Sequence, residues 1–317
     1  MASHYHEQRY RAALQAMPQS GGGGCHVHLL SIANYGVGSG LSDEDMLLDI
    51  RSVIHGQRRV SDKEIKDAIL KARHDQREPF PARISQAIRD KPQHRVDGKC
   101  FLASLLEKGH DHDEVDLWEA SPTRIDWPPE EDHIEVLKRL YEPEDLLFIG
   151  GKEPGVLGWS IRTASDWLEY FQNGGHTVEW FMPNSLTGSE GRTKDGKPSF
   201  RSDDCVKSFH FAIVEFDELS REDQLAFWWS VNLPVVALVD SGGKSIHGWV
   251  LVDCRDADEW TEQVEERLFG DYLIPLGADG ACRNESRMSR LPGHRRKSTG
   301  RWQRLLYLAP RGRRVRP

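Results

Sequence analysis

In the run FAIVEFDE, Glu215 and Asp217 stand two residues apart at the end of an apolar stretch. On a strand, residues two apart leave from the same face, so these carboxylates would converge. Like charges that close repel unless a cation lies between them. Carboxylate oxygens suit hard divalent ions such as Mg2+ or Mn2+. Acids capping a strand at its solvent edge have the same spelling, so the pair by itself does not make a site.

Two further stretches add to it. In DSGGKSIHGWVLVD, Gly242 and Gly243 allow a sharp turn with exposed amide N–H groups, and Lys244 supplies a compact positive charge. Ser245 and His247 are again two apart on the strand they begin, placed to donate together to phosphate oxygens. The turn is not a Walker loop, because the upstream glycine is missing and a strand follows in place of a helix. In GADGACRNESRMSRLPGHRR, residues 277–296, Asp279 offers a third carboxylate. Arg283, Arg287 and Arg290 offer forked donors for a triphosphate or a nucleic-acid backbone. Asp253, at the end of the strand that carries His247, is the alternative third acid. Spacing leaves both open, and the arginines around Asp279 favour it.

These residues need a scaffold, and the pattern from about residue 130 onward is mixed helix and strand. EDHIEVLKRLY reads as a helix, DLLFIGG as a strand, SDWLEYFQNG as a helix, and FHFAIVEFD as a central strand with a near-continuous apolar run. SREDQLAFWWSV is a capped helix, VVALVD and HGWVLVD are strands, and DADEWTEQVEERLF is a helix with Trp260, Val264 and Leu268 on one stripe. WQRLLYL closes as a strand. Residues 181–204 form a polar loop too long for a mere connector, which suggests ligand contact. Glycine-rich IGGKEPGVLG at 149–158 lacks Walker spacing and reads as a loop near the cleft. Trp228 and Trp229 are adjacent in a helix, so one faces the core and the other is partly exposed.

The N-terminal part is helical with clear punctuation. Ser42 followed by Asp45, and Ser61 followed by Glu64, are helix-start signals. SGGGG at 20–24 is a flexible join, and the prolines at 79, 81 and 92 mark a linker. The expected organisation is a small all-α domain at 1–75, a linker with connecting helices at 76–125, an α+β catalytic core at 126–310 and a basic tail at 311–317.

Composition narrows the class. From Arg283 to the end there are twelve Lys/Arg against one acid, a local charge of +11; the total of −8 leaves −19 for the rest. Such asymmetry points to a polyanionic partner for the C-terminal segment. No apolar run of membrane-spanning length occurs, and the N-terminus lacks a signal-peptide pattern, so a cytoplasmic protein with no membrane partner is expected. The cysteines at 25, 100, 205, 254 and 282 are scattered and odd in number, as reduced thiols are. Cys25-His26-Val27-His28 has no second pair at zinc-finger spacing, which argues against zinc.

An acidic pair after an apolar strand (IVEFD), then Ser245-Ile246-His247, then an Asp- and Arg-rich segment ending in RLPG together resemble the archaeo-eukaryotic primase superfamily. The likeness is greatest to the primase-polymerases of phages, plasmids and integrated elements. It covers about residues 180–308, with PNSLTG at 183–188 also typical. LSDEDMLLDIRSVIHGQRRVSDKEI is similar to the helical accessory domain of such proteins, here placed before the core. The resemblance implies a core with a sheet like that of RNA-recognition folds, two divalent ions (Mg2+ or Mn2+), and nucleoside triphosphates, NTP or dNTP, as substrates. It implies metal binding and catalysis by Glu215, Asp217 and Asp279, with His247 in the catalytic set. Nucleotide binding would fall to Lys244, Ser245, His247, Arg287 and Arg290. A single-stranded DNA template would meet Arg283, Arg295, Arg296 and Lys297, and any replicative helicase would be a separate partner. Two other readings stay open: a catalytically weak initiator or defence protein that binds single-stranded DNA on the same fold, and a metal-dependent phosphohydrolase.

Overall fold

The computed structural model describes residues 4–18, 25–56, 60–77, 98–151 and 153–316. The chain divides into two compact units, Met1–Pro79 and Phe80–Pro317. The join at 20–24 lies outside the described residues, as do residues 78–97 with their prolines and the side chains of Cys25 and His26. Among the described residues no helix is long and apolar enough to cross a membrane.

The first unit holds α1 (His4–Gln15), α2 (Cys25–Gly38), α3 (Asp43–Val53) and α4 (Asp62–Arg77). Ser42 caps α3 by accepting from the Asp45 N–H at 3.1 Å, and Ser61 accepts from the Glu64 N–H at 3.2 Å ahead of α4. Each bond satisfies an amide that has no partner inside its helix. Leu29 and Ile32 of α2, Met46 and Ile50 of α3, and Ile65 and Ile69 of α4 make the core, closed by Tyr10. The His28 ring bonds the Ala13 carbonyl at 2.8 Å, which gives this histidine a helix-joining role.

The second unit is α+β. Helices α5 (Gly98–Gly109), α6 (Glu114–Glu119) and α7 (Asp132–Leu140) lead into β1 (Leu146–Gly150), β2 (Ile161–Thr163), α8 (Ala164–Gln172) and β3 (Trp180–Phe181). The polar loop at 181–204 carries the short pair β4 (Gly191–Arg192) and β5 (Pro198–Ser199). Then come β6 (Phe209–Val214), α9 (Arg221–Ser230), β7 (Val235–Asp240) and β8 (Ile246–Cys254). Helix α10 (Ala257–Trp260) runs on into a π-helical stretch, Thr261–Leu273. Strands β9 (Ser289–Arg290), β10 (His294–Arg295), β11 (Trp302–Gln303) and β12 (Leu305–Arg313) complete the unit.

Two four-stranded antiparallel sheets matter for the site, ordered β12-β7-β8-β6 and β2-β1-β3-β9. The first is covered on both faces, so its strands read as apolar runs without alternation. One face packs Ala212, Val214, Leu238, Val250 and Val252 against Phe227 and Trp228 of α9 and Trp260 and Leu268 beyond β8. The other packs Phe211, Ile213, Val239 and Trp249 against Ile149, Phe181, Trp167 and Phe171. Trp228 is fully buried, while Trp229 is half-buried and stacks on His112 at 3.9 Å.

Gly248, between His247 and Trp249, shows how tightly β8 is held. A Cβ there would lie 2.1 Å from the Trp228 ring. Gly248→Ala is therefore expected to destabilise the protein by about 1–3 kcal/mol through overpacking, read as a lower midpoint in urea unfolding with an unchanged slope.

Candidate active site

The site forms where the ends of β6 and β8 meet β9 of the second sheet. Strand β6 ends at Val214, paired with Gly248, and does not extend through Asp217 as its apolar pattern suggests. The reason is a change of partner: the Glu215 carbonyl accepts from the Asp279 N–H at 3.0 Å, drawing the chain away from β8. Phe216 then enters the core, fully buried, and the flanking acids stay outside it.

Glu215 is the centre of the site. Its Oε2 lies 3.3 Å from His247 Nε2, and its Oε1 accepts from Arg287 Nη2 and, at 3.1 Å, from the Cys282 thiol. Asp279 caps the short helical turn Gly280–Arg283, its Oδ1 accepting from the Ala281 N–H at 2.9 Å. Its Oδ2 faces Glu215 and receives Arg287 Nη2 at 3.4 Å and Cys282 Sγ at 3.5 Å. Burial works against charge on Glu215, but His247 and the Arg287 guanidinium outweigh it and hold the carboxyl below its usual range. Burial, with Glu215 alongside, pushes the Cys282 thiol up, so it remains a protonated donor.

His247 is 2 % exposed, and both its ring nitrogens have protein partners. Trp249 Nε1 donates to Ser289 Oγ at 2.7 Å, and Ser289 Oγ lies 3.3 Å from His247 Nδ1. A carboxylate only accepts, so the Nε2 facing Glu215 carries the proton, and Nδ1 accepts from the Ser289 hydroxyl. Burial pushes the His247 pKa down to about 4, opposed by Glu215 and reinforced by Arg290, Arg287 and Arg296. The imidazole is thus neutral near pH 7. His247 is a buried neighbour of Glu215, with Ser289 at its other ring nitrogen.

Cations surround the acids. Arg290 is nine-tenths buried, stacks over Trp180 at 3.6 Å, and donates through Nη1 to Glu179 at 3.0 Å. Burial and the nearby Arg296 lower its pKa. Arg296 lies over the DSGGKS turn, where a Cβ on Gly243 would come within 2.6 Å of its Nη1. The Nε atoms of Arg290 and Arg296 are buried donors with no acceptor among the described residues. Buried guanidinium donors left over beside Glu215 and Asp279 suit an anion.

The turn itself is built from below. Buried Asp240 accepts from the Gly242 N–H at 2.7 Å and from Arg221 at 2.7 Å, with Arg301 at 3.4 Å. Gly242 adopts φ +66° there, a conformation glycine takes without a Cβ penalty. Thr299 Oγ1 donates to the Gly242 carbonyl at 2.7 Å, docking the basic 294–303 hairpin on the turn.

The structure thus brings together Glu215, Asp279, His247, Arg287, Arg290 and Arg296. Arg296, grouped with the template-binding residues from sequence, lies over the Gly242–Gly243 turn. Asp217 is exposed, and Lys244 Nζ donates to its carbonyl at 2.5 Å. It is not one of the three residues, Glu215, Asp279 and Cys282, whose ligand atoms lie within 4.8 Å of one another. Ser245 sits half-buried beside Ser241, with their Oγ atoms 3.3 Å apart. Arg283, Arg295 and Lys297 are exposed. Asp253 lies apart, pairing with His210 at 2.6 Å in a backbone with φ +49°, so it is not the third acid of this cluster. Sequence reasoning missed Cys282, Ser289, Trp249 and Glu179; only the closeness of Cys282 and Ser289 to Asp279 and Arg290 hinted at them.

Comparisons with known proteins add a likeness and no assignment. No family model matches the chain, and no curated protein matches it. Among solved structures, the AEP domain of the cyanophage S-2L primase-polymerase is similar at 19% identity and a TM-score of 0.38, over 59% of this chain and 96% of that chain.

Because His247 is neutral when folded and takes up a proton at its ordinary pKa when unfolded, its contribution to stability is full above about pH 6.5 and falls as pH drops toward 4. In EDTA, the stability difference between wild type and His247→Gln should shrink over that window by at most about 1.4 kcal/mol per pH unit. Chemical denaturation at stepped pH checks this; a difference that stays constant would contradict a neutral buried imidazole.

Proposed function

We propose that this chain is a metal-dependent nucleotidyltransferase of the primase-polymerase kind, extending a strand from NTPs or dNTPs on a single-stranded DNA template. The observation that carries the reading is the pairing of Glu215 with Asp279 beside Arg287, Arg290 and Arg296, the last two with buried donors that find no acceptor among the described residues. Opposed carboxylates next to surplus phosphate donors are what the transfer of a nucleotide requires. The motif resemblance over residues 180–308 points the same way.

The donor set fits a divalent cation, since two carboxylate oxygens converge in a half-buried site. Glu215 and Asp279 would hold Mg2+ or Mn2+, and exposed Asp217 is the further carboxylate available for a second ion. Such ions supply a lowered pKa for the attacking 3′-hydroxyl and neutralise charge on the phosphoryl oxygens. The protein's own groups do the positioning. His247 holds Glu215 by one oxygen, fixed in turn by Ser289 and Trp249. Arg287, Arg290 and Arg296 bind the triphosphate with forked donors, and the Gly242–Gly243 turn with Lys244 and Ser245 borders its tail. Exposed Arg283, Arg295 and Lys297 meet the template backbone, a contact that weakens as salt rises.

Extension of labelled nucleotides on single-stranded DNA with Mg2+ or Mn2+ tests the reading. Glu215→Gln and Asp279→Asn should each lower product formation by about 100-fold or more while DNA binding persists. No product from wild type with either metal would refute it. Phosphate release without template would point to a hydrolase instead.

Ser289→Ala should lower the extension rate by about 10-fold or more, as loss of a group that orients a metal ligand does, and Ser289→Thr should restore part of it. Steady-state kinetics of the two variants check this, with the loss expected in kcat and not in the KM for nucleotide.

A further inference from the structure

Each acid of the pair has one oxygen turned to the protein and one facing its neighbour. Glu215 Oε2 lies 3.3 Å from His247 Nε2, and Asp279 Oδ1 accepts from the Ala281 N–H. The facing oxygens, Glu215 Oε1 and Asp279 Oδ2, share the same nitrogen, Arg287 Nη2. A divalent cation bridging the acids through those facing oxygens would displace that nitrogen and turn away the Cys282 thiol that points at the same oxygens. An arginine guanidinium stays protonated in proteins, so Arg287 cannot leave by losing its proton. A triphosphate held by Arg290 and Arg296 beside it would offer the guanidinium another anion.

We propose that Arg287 competes with the divalent cation for Glu215 and Asp279 and yields them by moving to the triphosphate, so that metal and nucleotide bind cooperatively. The inference rests on the metal reading above. By linkage, whatever nucleotide does for metal affinity, metal does equally for nucleotide affinity. The exchange also keeps the charge in balance: the acids are never left facing each other without a cation, and Arg287 never stays in the pocket without an anion. Arg290, anchored on Glu179 and Trp180, remains in place and needs no such transfer.

Mn2+ binding to the full chain, read by loss of the free-ion EPR signal, tests this without turnover. In the absence of nucleotide, Arg287→Met should bind Mn2+ about tenfold more tightly than wild type, within the ordinary span of coupling between sites. Arg287→Lys keeps the charge but lacks the fork, so it should also bind more tightly; a Lys variant equal to wild type would show that net charge alone acts, and would overturn the proposal. With an α,β-methylene nucleoside triphosphate added, wild type should gain Mn2+ affinity by more than Arg287→Met does. Equal gains, or a Met variant within twofold of wild type without nucleotide, would also overturn it. Glu215→Gln separates the two claims: if that variant binds Mn2+ as wild type does, the metal reading itself fails, whereas its loss of binding beside an unaltered Arg287→Met removes the exchange alone.

Discussion

Everything at the site depends on keeping the Glu215 carboxylate ionised in a place that is mostly out of water. An isolated buried carboxylate would take a proton and lose its use as a ligand. Here His247, Arg287 and the Cys282 thiol surround it with donors, and their combined effect exceeds the penalty of burial. The arrangement is directional as well as electrostatic. One oxygen is fixed from the protein side by the Trp249–Ser289–His247 chain, and the other is turned toward Asp279.

That direction comes from the fold. Strands β6 and β8 are covered on both faces, so their register is tightly set by core packing, with Gly248 against Trp228 as the tightest contact. A slip of one residue would turn His247 toward the opposite face. Strand β9 belongs to the other sheet, and Ser289 reaches His247 from there. The site is therefore a junction between the two sheets. Arg287 is partly exposed, and most residues of the basic hairpin at 294–303 are exposed.

Much of this was legible in the sequence because local rules govern it. The helix starts at Ser42, Ser61 and Ser220 follow from capping, and the central strands follow from their apolar runs. The convergence of Glu215, His247 and the Arg287–Arg290 segment was foreseeable from motif order. The choice of Asp279 over Asp253 was favoured by its arginine neighbours; in the structure Asp279 lies beside Glu215, and Asp253 pairs with His210 instead. Tertiary contacts hid the rest. Nothing local says that β6 stops before Asp217, that His247 turns inward to a carboxylate, or that Arg296 folds back over Gly243. Ser289 and Trp249 carry no motif, and their role exists only where two sheets meet.

The central claim is that Glu215 and Asp279 together bind a divalent cation beside a triphosphate. Crystals soaked with Mn2+ and an α,β-methylene nucleoside triphosphate test it directly through anomalous scattering. The account predicts a manganese peak between the two facing oxygens, with the phosphates against Arg290 and Arg296 and Arg287 turned away from the acids. A peak at another site, or nucleotide bound with Arg287 still bridging Glu215 and Asp279, would contradict it.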